Sequence, residues 1–252
     1  MIGPLPAMGR RAAEKGYDWR EMHNRWQSGA MSTLLVTAHL ATPYIPAPQG
    51  NDIHLDSLLG AALLQDLPAP VFFPAHSAAV IPIPLALLWQ SEGGLPLWAA
   101  TPLWPVGEAF IGREYWHKRY PSDRADLSLK RAALTSAGRW KEYRTPVNAV
   151  TGNAVAGICV GVQSEVERLL TLITHVGKKG SIGYGRVGRW GVSAIPLEEG
   201  RQSCLIGRPL PVSCPLASGL QGRFEPRLGW TPPYWYVPWH EPCLIPEAPP
   251  VG

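Results

Sequence analysis

Residues 154–195 read strand, helix, loop, strand with almost no slack between the parts. AVAGICVGV (154–162) is an apolar run with the length and β-branched content of a buried strand. SEVERLLTLI (164–173) then puts Val166, Leu169, Leu170 and Ile173 on one helical stripe, and its Ser164 and Glu167 have the spacing of a capping box. THVGKKGSIGYGRVGRW (174–190) breaks both periodicities, and RWGVSAIPL (189–197) restores a strand. A helix that leaves one strand and returns through a short loop to another must bury its stripe on a sheet that holds both.

An earlier stretch has the same logic. TLLVTAHLA (33–41) alternates Leu34, Val36, Ala38 and Leu40 against Thr37 and His39, the pattern of a half-buried strand. HLDSLLGAALL (54–64) follows, with Leu55, Leu58, Leu59, Ala62 and Leu63 on a helical stripe and Asn51 or Asp52 as cap. Between the two units, VIPIPLALLW and LPLWAATPL carry prolines that allow short or edge strands only. The order β, α, two or three β, α, loop, β predicts an α+β chain with a ferredoxin-like (RRM-like) βαββαβ plan. On this reading 1–30 is an N-terminal extension able to form an accessory helix, or else sequence ahead of a true start at Met31. Residues 31–199 hold the domain, with a basic insert over about 107–148, and 200–252 are a tail rich in Pro, Gly and aromatic residues.

The 252 residues are 46% hydrophobic and 17% charged, enough for a real core and unlike a disordered chain. A net charge of +4 is mild, so only local clustering of cations can indicate a partner. Cys159, Cys204, Cys214 and Cys243 are widely spaced with no CxxC pair, which fits neither a disulfide scaffold nor a structural zinc site. The run AAVIPIPLALLW (78–89) is broken by prolines and shorter than the roughly 20 residues a bilayer requires. With no apolar leader after Arg10 and Arg11, the expected location is the cytoplasm, without a membrane partner.

The loop sharpens the functional question. Residues 174–190 hold five glycines and four cations without one carboxylate. GYGRVG (183–188) matches GxGxxG in letters, but a dinucleotide fingerprint follows a strand and opens a helix, whereas here a helix precedes and a strand follows. The Walker lysine is missing, and so are the VAIK, HRD and DFG segments of a protein kinase. The remaining phosphate chemistry is a polyanion held by bare amides, with Lys178, Lys179, Arg186 and Arg189 supplying charge and Tyr184 placed to stack on a base. A solvated turn that is basic by chance is the plain alternative. REYWHKRYPSDRADLSLKRAALTSAGRWKEYR (113–144) adds nine Arg or Lys against four acids, with Trp116, Tyr120, Trp140 and Tyr143 among them. Cations for phosphates beside rings for bases is the composition of a single-strand groove, although a solvated face can look the same. The RRM signature is absent, since AVAGICVGV offers no stacking aromatics.

LLTLITHVGKKGSIGYGRV, a second helix running into a glycine-rich basic loop, resembles the RAMP superfamily of CRISPR-associated proteins. TAHLATP, IHLDSLLGAALL, RWKEYRTPV and VGKKGSIGYGRV together look most like the Cas-five group subunit of type IV CRISPR effector complexes, over roughly residues 33–195. The resemblance implies a non-catalytic RNA-binding subunit in antiviral defence. It would cap the 5′ handle of the guide RNA beside backbone RAMP subunits and a large subunit, and meet target DNA only indirectly. It places the handle on Gly177, Lys178, Lys179, Gly180, Gly183, Tyr184, Gly185, Arg186 and Arg189, with Lys118, Arg119, Arg139, Trp140, Lys141 and Arg144 of the insert. No catalytic residue, metal or cofactor is expected.

Two other readings stay open. A guide-RNA-processing endoribonuclease of the same superfamily would use a histidine base, with His54 at the start of the first helix the leading candidate and His39 another, while His117 in WHKR reads as a phosphate contact. A protein interaction module would owe its cations to solubility alone. HEPC (240–243) is the one close metal-capable pair, and it lacks a second pair. The burst GWTPPYWYVPWH (229–240) is expected to cover apolar surface of the domain or to anchor a neighbouring subunit.

Overall fold

The computed structural model describes residues 19–46, 53–66, 80–118, 143–196 and 203–247. Helix α1 (Trp19–Gln27) leads into β1 (Ser32–Leu40), and β2 (Ile53–His54) runs directly into α2 (Leu55–Asp66). Three short strands follow, β3 (Leu87–Gln90), β4 (Pro96–Trp98) and β5 (Pro102–Pro105), then a long hairpin, β6 (Phe110–Lys118) and β7 (Tyr143–Thr151). The expected unit comes next as β8 (Ala154–Gly161), α3 (Gln163–Leu170) and β9 (Val187–Ile195). A final part holds β10 (Leu210–Pro211), β11 (Gly222–Leu228) and β12 (Glu241–Pro246). The architecture is α+β with mostly antiparallel strands.

The main sheet has the order β2-β5-β8-β1-β9 with antiparallel neighbours. Strand β1 is interior to the sheet, with partners on both sides, Leu34 lying opposite Cys159 of β8 and Ala194 of β9. Leu34, Val36 and Ala38 are fully buried under Leu55, Leu59 and Leu63 of α2 and Val166, Leu169 and Leu170 of α3. Each such aliphatic side chain removed from water stabilises the fold by about 1.5–3 kcal/mol. Prolines fall at both ends of β5, which confines that strand to four residues. Trp26 of α1 is buried in the same core, and Gln27 fastens the helix by donating to the Leu85 carbonyl at 2.8 Å.

The capping box does not form. The N-cap of α3 is Val162 without a side-chain bond, because Glu167 accepts instead from Gln163 Nε2 at 2.8 Å, one helical turn away. The helix also ends at Leu170, three residues before the stripe predicts. The caps expected at Asn51 or Asp52 lie outside the described residues.

Residues 203–247 make a three-stranded sheet, β10-β12-β11, whose Trp230, Leu210, Cys214 and Cys243 share a small second core with Leu97 of β4. The tie to α2 is polar. Arg208, with no exposure at all, sets a guanidinium nitrogen 3.3 Å from the buried carboxylate of Asp56. It also donates to the carbonyls of Trp98, Ala100 and Trp230. Tyr234 donates to the same carboxylate at 3.0 Å, and the Ser57 amide at 2.8 Å. Burial pushes the Asp56 carboxyl above its ordinary value, against the pull of Arg208, Tyr234 and Ser57. All four cysteines are buried free thiols. Among the described residues no helix is long and apolar enough to cross a membrane.

Candidate nucleic-acid interface

The loop between α3 and β9 is a built structure. Its neck is closed by backbone bonds from Val187 to Thr174 (2.9 Å) and from Val176 to Gly185 (2.8 Å). Its tip is a single 3-10 turn, Gly180–Ile182, entered through Lys179 at φ 66. A strap after β1 holds one side. The Lys178 backbone amide donates to the Ile45 carbonyl at 2.8 Å and that of Gly185 to the Pro43 carbonyl at 2.7 Å, while Thr42 donates to the Gly183 carbonyl and accepts from the Arg186 amide.

Two glycines are dictated by close contacts, one within the neck and one with the strap. Gly185 has φ 66, and a Cβ there would sit 1.9 Å from the Val176 carbonyl oxygen. Gly177 has φ 76, and its Cβ would meet the Ile45 oxygen at 2.5 Å. Both therefore serve close packing of main chain on main chain. What the loop leaves facing water is positive: Lys178, Arg186 and Arg189 are exposed.

The hairpin reaches the loop. Its nine-residue arms pair from Phe110 with Thr151 to Lys118 with Tyr143, so residues directly opposite share a face. One face carries Glu114 and Trp116. Lys179 Nζ lies 3.6 Å from the centre of the Trp116 ring, and the Tyr184 hydroxyl donates to the Glu114 carboxylate. That bond raises the Tyr184 pKa. The opposite face carries Arg113, Tyr115, His117 and Arg144, all exposed, with the Arg144 guanidinium 3.7 Å from the Tyr115 ring centre.

The two basic segments of the sequence thus come together at Lys179 and Tyr184. The chemistry differs from expectation at three points. The amides are not bare: those of Lys178, Gly185 and Arg186 donate to the strap, and those of Ile182, Gly183 and Tyr184 to carbonyls within the loop. The loop does have an acid neighbour, Glu114, brought from 70 residues away, and Tyr184 has its hydroxyl engaged by it. Gly180 and Gly183 lie at the tip with Lys179, whereas Arg189 sits in β9 beyond the neck. Lys118 ends β6 and Arg144 lies on the face turned from the loop. Arg119, Arg139, Trp140 and Lys141 lie outside the described residues. Sequence reasoning missed Thr42 and Glu114, which carry no local signal, since each matters only through a partner distant in the chain.

His54 precedes α2 as the last residue of β2 and does not open the helix. Its ring stacks on Tyr234 with centroids 4.1 Å apart and planes at 11°. Burial, with the Arg208 charge nearby, lowers its pKa to about 3. His240 and Cys243 have separate employments. The His240 ring contacts the Tyr234 carbonyl at 2.9 Å, and Cys243 is buried in β12. Among the described residues no group of three or more His, Cys, Asp or Glu could hold a metal ion.

No curated protein matches the chain. Residues 128–246, just under half of it, match the family model described as CRISPR type IV associated protein Csf3. The matched span contains β7, the loop, both strands that flank α3 and the Arg208 part. That match supports a type IV CRISPR-associated protein.

Proposed function

We propose that this chain is a non-catalytic RNA-binding subunit of a type IV CRISPR effector ribonucleoprotein, holding the 5′ handle of the guide RNA on the loop between α3 and β9 and on the adjoining hairpin. Backbone and large subunits of the particle are its protein partners. One observation carries the reading: the loop cations and the aromatic hairpin, separate in the sequence, meet at Lys179 over Trp116. Exposed Lys178 and Arg186, with flat rings beside them, are the parts a ribose-phosphate chain needs, and since the loop amides from Ile182 to Arg186 donate within the fold, the side-chain cations supply the charge. The neighbour order β9-β1-β8-β5, with α2 and α3 inserted after β1 and β8, supports reading the core as the βαββαβ plan of the RAMP superfamily.

The endoribonuclease alternative loses its leading base to burial. A histidine stacked under Tyr234 with a pKa near 3 has neither access to a 2′-hydroxyl nor the basicity to take its proton near neutrality. Incubating repeat RNA with the purified chain and with His54→Ala tests that alternative, and site-specific cleavage lost in the variant would restore it.

The RNA reading is tested by the salt dependence of binding to a single-stranded handle RNA. Each neutralised phosphate contributes a slope of about −0.7 in log K against log salt, so three loop cations give a slope steeper than roughly −2. Replacing Lys178, Lys179 and Arg186 by Ala should weaken binding and flatten the slope. Unchanged affinity and slope would remove the loop from the RNA site.

A further inference from the structure

A groove of about 450 Å³ lies between the C-terminal end of α3 and the edge strand β9. Its walls are apolar, with Leu170, Ile173, Val187 and Trp190, and its rim is polar, with Glu167 and Arg189. The indole of Trp190 is fixed, since its N–H donates to the Ile173 carbonyl at 2.9 Å. Both ends of the glycine loop belong to this groove: Thr174 and Val187 line it and close the neck between them by their backbone bond. A strand whose phosphates follow the loop therefore passes the groove mouth, where Arg189 stands exposed and Arg186 is one residue from the lining.

We propose that this groove receives one unstacked base of the RNA held by the loop, with a preference for guanine. The inference rests on the RNA reading of the loop. A few hundred cubic ångströms with apolar walls and few polar groups is the usual form of a small-ligand pocket, and bases of single-stranded RNA are read after being splayed from their neighbours. The preference comes from Glu167. An ionised carboxylate only accepts hydrogen bonds, and guanine alone among the four bases presents two adjacent N–H donors, N1–H and N2–H, on its pairing edge. One Glu167 oxygen already accepts from Gln163, which holds the carboxylate at the rim.

The experiment uses the full chain and fluorescent RNA octamers of uridine, in which one guanosine, adenosine or abasic residue is walked through every position. For the unaltered protein, one position should favour guanosine over the abasic residue by about tenfold, within the range that stacking of a single base supplies. Thr171→Trp fills the groove from an exposed position outside the loop and should abolish that positional preference while the salt slope stays as it was. Glu167→Gln should reduce discrimination of guanosine from adenosine at that position and leave the abasic penalty in place. A flat positional profile with a normal salt slope overturns the groove and spares the loop, and would leave the groove to a protein partner. A preference that survives Thr171→Trp in a variant that melts normally also overturns it. Failure of every octamer to bind overturns loop and groove together.

Discussion

Arg208 and Arg186 carry the same guanidinium in opposite surroundings. Arg208 is sealed from water, and its two terminal guanidinium nitrogens donate to a carboxylate and three carbonyls. Arg186 is exposed, and its backbone amide, rather than its charge, is what Thr42 uses. The difference separates a cation consumed in joining the C-terminal sheet to α2 from cations that the fold leaves available. Composition counts both kinds alike, so net charge says little about either.

The largest effect should come from the consumed cation. Arg208→Met strands the Asp56 carboxylate in the interior, and removing one member of a buried pair costs about 3–5 kcal/mol. Urea denaturation reads this, and the double variant Arg208→Met, Asp56→Leu should regain much of the loss. A single variant as stable as the parent would break the contrast, because Arg208 would then be as dispensable as a surface cation. Gly185→Ala comes next. Its positive φ and the overlap with Val176 put the cost near the top of the range for backbone strain, about 3 kcal/mol, read by the same denaturation.

Acid should act through His54. Its folded pKa of about 3 lies below the ordinary 6.5, so the unfolded chain binds the extra proton between those values and stability falls as pH falls. The loss between pH 8 and pH 5 is about 2 kcal/mol from this group. His54→Phe keeps a ring against Tyr234 without a titrating nitrogen. Equal pH dependence in parent and variant would contradict the burial. The smallest effect belongs to the junction of loop and hairpin. Glu114→Gln removes the carboxylate that touches Tyr184 and should tighten RNA binding by a few fold, with stability within about 0.5 kcal/mol of the parent. Weaker binding would mean that Glu114 serves the RNA and does not oppose it.

The elements that were legible in the sequence are those whose burial has a local period. Leu34, Val36 and Ala38 of β1 record the pleat, and Leu55, Leu59 and Leu63 of α2 record the helical turn, so each element announces its own buried face. Boundaries were less legible. Val187 begins β9 two residues before the sequence pattern does, because the neck of the loop pairs with Thr174 and extends the strand backwards. The capping box failed because Gln163 competes for Glu167. In the candidate site, the cations and glycines of the loop could be read directly, whereas Glu114, Thr42 and the buried trio of Asp56, Arg208 and Tyr234 could not. Asp56 and Arg208 are 152 residues apart, and no periodicity links two single charges over that distance. The tail shows both outcomes at once, with Trp230 buried against Leu97 and Trp89 of the β3–β4 pair and Trp235 more than half exposed.

The strap of Thr42, Pro43 and Ile45 has a consequence for how fast and how tightly a ligand can be held. Because the folded core already fixes the loop backbone through these contacts, a visiting strand would find a rigid seat and would lose little affinity to ordering it. Capture of this kind is governed by encounter and by charge steering, with no slow rearrangement of the protein to wait for.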